Sequence, residues 1–316
     1  MKLDAPNNMI CKICQSSASK VYSFEEKMFR FEGSFDYFEC SSCGCLQIDE
    51  MPDDIARYYP PYYYSYTQTS PQLKRLPFLK RLFAGVRIKK KYKKGVPLLR
   101  YLREINTSVN DRILDVGCGK GLLICELFNQ GFENVEGVDI FLPEQVDHGF
   151  GVKVHKKDVS ELPHATYDLV MMNHVLEHMP EQQKALRDVY GVLKSKGCLM
   201  IRIPVLGEAW DLYQGNWVQL DAPRHLFLHT VKSLELLALQ TGFEVRKTLF
   251  DSSSFQFLGS ELYERGIPLF SKEDNYELYS FRTLFNDTQI QEYETRAIKL
   301  NEEQRGDSAV FYLYKK

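Results

Sequence analysis

"ILDVGCGKG", residues 113–121, decides how the rest of the chain is read. A short apolar strand runs into Asp115, and glycines at 117, 119 and 121 then turn the chain into a helical stretch, "LLICELFNQ", that stops at Gly131. Glycine is required where the backbone takes unusual dihedrals or where a ligand must approach it closely. The helix start beyond offers unpaired N–H groups. The spacing is G-x-G-x-G, not the G-x-G-x-x-G of dinucleotide binders, and the G-K-[ST] of a phosphate loop is missing.

Working outward, short apolar runs alternate with helical patterns. "VEGVDI", "VKVHKKD", "YDLVMMN", "GCLMIRIP", "FEVRKTLF" and "SAVFYLYKK" read as further strands. A helix is expected over about 181–193, and Thr230 is placed to cap "VKSLELLALQ", with Gly242 at its far end. Strands alternating with helices predict an α/β fold: a Rossmann-like, seven-stranded, mostly parallel sheet with helices on both faces. An acid two residues before the first glycine would repel a pyrophosphate but suits an ammonium group. Asp139 ends the second strand about twenty residues on, the place from which an acid grips ribose hydroxyls. Asp158 follows the third strand and could accept from an adenine amino group. Acids often merely close strands, and either residue alone would be read that way. Three acids after successive strands point instead to S-adenosylmethionine, which carries an ammonium, a carboxylate, a sulfonium and a ribose diol.

Residues 113–204 resemble class I SAM-dependent methyltransferases: "LDVGCGKG", "GVDI", "KDV" and "YDLVMMNHVLEHMP" match that family's successive motifs in order. The resemblance implies that Asp115, Gly117 and Gly119 surround the methionine part of the cofactor and Asp139 its ribose. It also implies Asp158 beside the adenine, with Asn173 and His174 beneath. A rival reading takes "HVLEH" (174–178) as the H-x-x-E-H zinc signature of a metallopeptidase. Its place just after the fourth strand, where the methyltransferases carry a similar "LEH", speaks against that.

Upstream, "CKIC" and "CSSC" set Cys11, Cys14, Cys40 and Cys43 in two C-x-x-C pairs separated by 25 residues. Four thiolates so paired can close a tetrahedral structural Zn2+ site with no open position, the staple of a small zinc-knuckle domain. Cys45 is a spare. Unliganded core cysteines are the alternative. The order of knuckles, "YYPPYYYSY" and methyltransferase motifs resembles bacterial methyltransferases that modify sugars and surface polysaccharides. The sugar C-methyltransferases among these carry a further C-terminal domain, whereas here the final run reads as the last strand of the sheet.

"NWVQLDAPRHLFLHT" (216–230) lies between the fifth strand and the next helix, where ligands sit in open parallel sheets. It reads as a substrate wall. His225 is the expected base for a hydroxyl nucleophile, Arg224 the anchor for a phosphate or carboxylate, Asp221 the orienter, and Trp217 a stacking face for a sugar or base. The structural alternative has Arg224 paired with Asp221 and His225 bonded to a backbone carbonyl.

The expected organisation is a zinc-binding domain over 1–69, a basic helical linker over 70–100, and a methyltransferase domain over 101–316. That last domain includes a substrate loop at 205–230 and a helical insert at 251–306. Between residues 71 and 100 there is no Asp or Glu. Leu79, Leu82, Phe83 and Val86 stand at helical spacing within 74–94, which suits an anionic membrane surface or a polyanionic substrate. A solvated helix packed by that stripe is the commoner case. A net charge of −2 argues against a chain that coats nucleic acid. Eight cysteines without an export signal at the start imply a cytoplasmic protein with thiols or metal ligands rather than disulfides. The function implied is O-methylation of a small-molecule or glycan acceptor, in polysaccharide biosynthesis or secondary metabolism. RNA methylation and a binding module that has lost catalysis are the alternatives.

Overall fold

The computed structural model describes residues 9–63, 69–77, 80, 81, 83–271 and 277–316. Three antiparallel strands open the chain: β1 (Ala18–Glu25), β2 (Ser34–Cys40) and β3 (Leu46–Ile48). Helices α1 (Ala84–Lys93) and α2 (Arg100–Glu104) lead to β4 (Ile113–Val116), α3 (Leu122–Gln130) and β5 (Val135–Val138). Then come β6 (Val146–Gly149), β7 (Val152–His155), β8 (Tyr167–Asn173), α4 (Gln182–Val192) and β9 (Leu193–Pro204). After α5 (Glu208–Tyr213) the chain forms β10 (Phe227–Leu228), α6 (Val231–Gln240) and β11 (Phe243–Phe250). It finishes with α7 (Phe255–Glu264), α8 (Asp287–Glu302) and β12 (Ser308–Lys315).

The large sheet has the order β11-β12-β9-β8-β4-β5-β7-β6. Its centre is parallel, from β9 through β8, β4 and β5 to β7, and its margins are antiparallel. The seven-stranded, mostly parallel sheet expected from the sequence is thereby corrected to eight strands with parallel pairing confined to the middle. The extra strand is β6, "VDHG", hidden because an edge strand needs only one sheltered face and carries polar residues. Phe150 and Gly151, both at positive φ, turn it back onto β7.

β8 explains why the centre is parallel. "YDLVMMN" is apolar nearly throughout, as a strand covered on both faces must be. Leu169 and Met171 join a core with Ile88 and Tyr92 of α1 and Ile124 and Leu127 of α3. Val170 and Met172 face the other way, toward Leu186 and Val189 of α4 and Leu234 and Leu237 of α6. Helices on both faces are thus as expected. Thr230 caps α6 as expected too, its side chain accepting from the Ser233 N–H.

The basic segment packs differently from the expectation. Ala84, Ile88 and Tyr92 are the buried residues of its helix, while Phe83 is 62% and Val86 55% exposed. Leu79 and Leu82 lie outside the described residues. Among the described residues no helix is long and apolar enough to cross a membrane.

The second sheet has the order β1-β2-β3-β10. Its fourth strand comes from the run first read as a substrate wall: Phe227 and Leu228 pair with Gln47 and Leu46. Neighbouring bonds extend the seam. The Ile48 N–H donates to Leu226 O at 2.9 Å, the Tyr37 hydroxyl to His225 O at 2.8 Å, and the Thr230 hydroxyl to Cys43 O at 2.7 Å. Tyr37, Leu46 and Ile48 share one apolar core with Leu226, Phe227 and Leu234.

Arg224 locks this seam. It is 1% exposed, and its Nη2 lies 2.5 Å from Glu26 Oε1 and 2.6 Å from Asp221 Oδ1. Nη1 donates to Tyr58 O and Nε to Asp221 Oδ1. Glu26 is satisfied in turn by the Phe29 and Phe31 N–H groups. Removing one member of a buried ion cluster strands the rest, a loss of about 3–5 kcal/mol. Arg224→Ala should therefore lower the urea midpoint by that equivalent. Adding Glu26→Gln and Asp221→Asn to it should recover part of the loss, because the stranded charges are then gone.

Candidate functional site

The carboxyl ends of β4, β5, β7 and β8 form the rim on which the expected cofactor residues stand. β4 delivers Asp115, and the loop beyond bends through Gly117, Gly119 and Gly121, all at positive φ. A Cβ at Gly117 would lie 2.7 Å from the Val175 methyls, so the loop passes too close to the end of β8 for any side chain there. The loop is tied to β5 through Asp139, whose Oδ2 accepts from the Gly119 N–H at 2.9 Å and whose Oδ1 accepts from the Phe141 N–H at 2.8 Å. Each oxygen keeps a lone pair for hydroxyl donors.

Asp115 is nearly fully buried, and the Asn173 side chain reaches it with a hydrogen bond of 3.4 Å. Burial, with a smaller push from Asp139, raises its pKa to about 7 against the pull of Asn173. A carboxylate so poorly compensated is a ready partner for a cation. Asp158 sits one strand further along, capping a short turn. It accepts from the Ser160 N–H and hydroxyl, and these bonds hold its pKa below the ordinary value.

Asn173 and His174 close the end of β8. His174 adopts φ +52°, with its N–H bonded to Arg202 O. Its Nε2 lies 2.6 Å from Arg202 Nη1, and Arg202 Nε lies 2.5 Å from Asp251 Oδ2, which also accepts from the Tyr101 hydroxyl. Sequence reasoning missed Arg202, Asp251 and Tyr101. The legible sign was Arg202, a charge inside the apolar strand "GCLMIRIP". Its partners come from distant segments.

The run 216–230 requires correction. Trp217, expected as a stacking face, is fully buried with its Nε1 donating to Asp307 Oδ2 at 2.9 Å, so no face is left for a substrate. Arg224, expected as an anion anchor, spends its donors on Asp221, Glu26 and Tyr58. Asp221 is correspondingly held by Arg224 and stands 3.9 Å from His225 Nε2. His225 is buried with Nδ1 against Gln219 O at 2.7 Å. Burial, and then His178, depress its pKa to about 4, which makes it a weak proton acceptor.

Cys11, Cys14, Cys40 and Cys43 converge, with Cys11 and Cys43 Sγ 3.6 Å apart and Cys14 and Cys40 Sγ 3.3 Å apart. N–H groups of Ile13, Cys14, Ser42 and Cys43 point at the sulfurs of Cys11 and Cys40. Sulfurs bound at about 2.3 Å in a tetrahedron stand roughly 3.8 Å apart, so the four are close to the spacing that one Zn2+ would impose. None of the eight cysteines is bridged.

The chain is similar to known methyltransferases. Over 116 residues the chain is 33% identical to a ubiquinone biosynthesis O-methyltransferase of Rickettsia bellii, covering 33% of this chain and 48% of that protein. Over 145 residues it is 26% identical to a trans-aconitate 2-methyltransferase of Rhodococcus jostii, covering 45% and 52%. The chain thus spans about half the length of these relatives. A crystal structure of a SAM dependent methyltransferase from Archaeoglobus fulgidus superposes with TM-score 0.40 at 21% identity, over 75% of this chain and 98% of that one. The methyltransferase domain model matches residues 81–248, which contain the glycine loop, all three carboxylates and the end of β8. By that match over more than half of its length, the chain belongs to the methyltransferase domain family.

Proposed function

We propose that the protein transfers a methyl group from S-adenosylmethionine to an oxygen of a small acceptor. The observation that carries this is the set of carboxylates at the ends of three adjacent parallel strands, Asp115, Asp139 and Asp158, around a glycine loop at positive φ. In this reading Asp115 and the loop hold the amino-acid part, Asp139 the ribose and Asp158 the adenine, with Asn173 and His174 beneath. When bound there, the cofactor supplies an electrophilic methyl on a sulfonium. The chain's task is then alignment of the acceptor oxygen with that methyl and exclusion of water. Arg224, Asp221 and Trp217 have no part in it, being consumed in packing.

The acceptor we propose is a sugar or glycan precursor of a surface polysaccharide or secondary metabolite, handled in the cytoplasm. Its support is the sequence resemblance, while methylation on oxygen is supported by the name of a relative, a ubiquinone biosynthesis O-methyltransferase. The exposed Phe83 and Val86 among lysines and arginines favour an acceptor or surface that is anionic. A screen of nucleotide sugars, glycans and RNA for methyl uptake tests the acceptor class. Methylation of RNA alone would overturn the sugar assignment.

We further propose that the cysteine cluster holds one structural Zn2+. Its thiol spacing and the N–H groups turned toward sulfur support this. Cys40→Ser should cost the metal, measured by elemental analysis. It should also open the 219–229 run to limited proteolysis, because β10 is a strand of the stapled sheet.

Asp115 yields a two-signed prediction. Its raised pKa means that the folded, cofactor-free state prefers the protonated form, so this carboxyl favours folding below about pH 4 and loses that contribution as pH rises toward 7. An ammonium needs the ionised form. Calorimetric affinity for S-adenosylhomocysteine should accordingly weaken as pH falls from about 7, by up to about tenfold per unit. Asp115→Asn should lose at least about tenfold in affinity while its melting temperature at pH 8 holds or rises. Undiminished binding by that variant would sink the cofactor assignment.

A further inference from the structure

We propose a second metal site, a divalent-cation site of mixed nitrogen and oxygen ligands formed by Glu177, His178 and His225. It is separate from the cysteine cluster and lies just past the end of β8. A carboxylate oxygen of Glu177 and one ring nitrogen from each histidine lie within 4.8 Å of one another. Ligands bound at about 2.1 Å in a tetrahedron stand roughly 3.4 Å apart, so closing on an ion needs each ligand atom to move by less than about 1 Å.

Three features of the surroundings argue for a cation. The first is Glu177. Its side chain is 0% exposed, and neither oxygen accepts a hydrogen bond among the described residues. His174 Nδ1 lies 3.4 Å from Glu177 Oε1, an ion-pair contact when that ring is charged. A buried carboxylate costs several kcal/mol unless positive charge compensates it, and among the described residues around Glu177 that charge can come only from imidazolium rings or from a bound cation.

The second is the orientation of the rings. His178 Nδ1 stands 2.8 Å from Arg224 O, and His225 Nδ1 stands 2.7 Å from Gln219 O. A carbonyl only accepts, so both Nδ1 atoms carry the proton and both Nε2 atoms keep a free lone pair. This is the arrangement by which metal-ligating histidines are held. The rings meet edge to face with centroids 4.7 Å apart.

The third is charge. The buried guanidinium of Arg224 is taken up by Glu26 and Asp221.

The ligand set is not that of the H-x-x-E-H motif. Its first histidine, His174, has Nε2 engaged by Arg202, and His225 from the 216–230 run takes that place. Three protein ligands leave a position for water or an acceptor oxygen, and His178 is partly exposed. On the methyl-transfer reading, and only there, such an ion would lower the pKa of an acceptor hydroxyl.

The test is titration of the full chain, its cysteine cluster already filled with zinc, with Co2+ and without methyl donor or acceptor. One further equivalent is expected, with d–d absorption free of a thiolate charge-transfer band. Glu177→Gln and His225→Gln should each weaken it at least about tenfold, while the zinc content stays unchanged. Absorption-edge spectroscopy on cobalt-loaded wild-type protein reads the same ligands independently of whether a variant folds, and nitrogen and oxygen neighbours with imidazole scattering are expected. No equivalent beyond exchange at the thiolates, a second equivalent that both substitutions leave intact, or a sulfur-only coordination shell would each overturn the proposal. Since donor and acceptor are absent, its failure would leave the methyl-transfer reading standing, and loss of homocysteine-ligand binding would leave this one.

Discussion

The guanidinium of Arg224, sealed between Glu26 and Asp221, is the constraint on which the rest of the molecule leans. A buried ion cluster adds little stability over a well-packed apolar one, yet it tolerates only one geometry. Here that geometry joins chain segments nearly two hundred residues apart, the first hairpin and the run after β9. The same run donates β10 to the small sheet and turns the carbonyls of Gln219 and Arg224 toward His225 and His178. One charged side chain thus sets both the docking of the cysteine-rich unit and the tautomers of two histidines beside the sheet's carboxyl edge.

At that edge, carboxyl groups are buried with little hydrogen bonding. Asp115 is buried with a single weak bond, and Glu177 is buried with none. Asp115 would be better replaced by a neutral side chain if folding were all that mattered. An uncompensated carboxylate such as Asp115 is intelligible as half of an ion pair whose other half comes from outside the chain, whereas Glu177 is faced by the rings of His174, His178 and His225. The neighbouring carboxylates differ. Asp139 is bonded by two N–H groups and Asp158 by a capping turn, so these two position the loop and turn whether or not a ligand is present.

The glycine loop, the strand acids and the order of the central strands could be read from the sequence because each depends on neighbours within a few residues. Strand ends, positive-φ glycines and the cap at Thr230 are all local matters. What could not be read depends on meetings between distant segments. Trp217 carries an indole N–H that could equally stack on a ligand or donate to a buried acid, and only Asp307, ninety residues on, decides between them. Arg224 looks the same in sequence whether it awaits a phosphate or Glu26. The two-residue β10 is too short for any periodicity, and β6 is too polar.

The cysteine-rich unit has a role beyond stapling itself. Its sheet is completed by a strand from the methyltransferase domain, and its core is continuous with the face of the large sheet that carries Val170 and Met172. A polar, turn-rich loop is ordinarily among the less stable parts of a fold. Here the segment from 219 to 229 is fastened on one side to a metal-sized knot of thiols and on the other to the end of β8, through the bond from the Leu226 N–H to Glu177 O. Rigid support of this kind is what a site needs if its ligands must be held to within about half an ångström. The fusion of the two units is therefore best understood as the means by which a polar, turn-rich run keeps His225 in place.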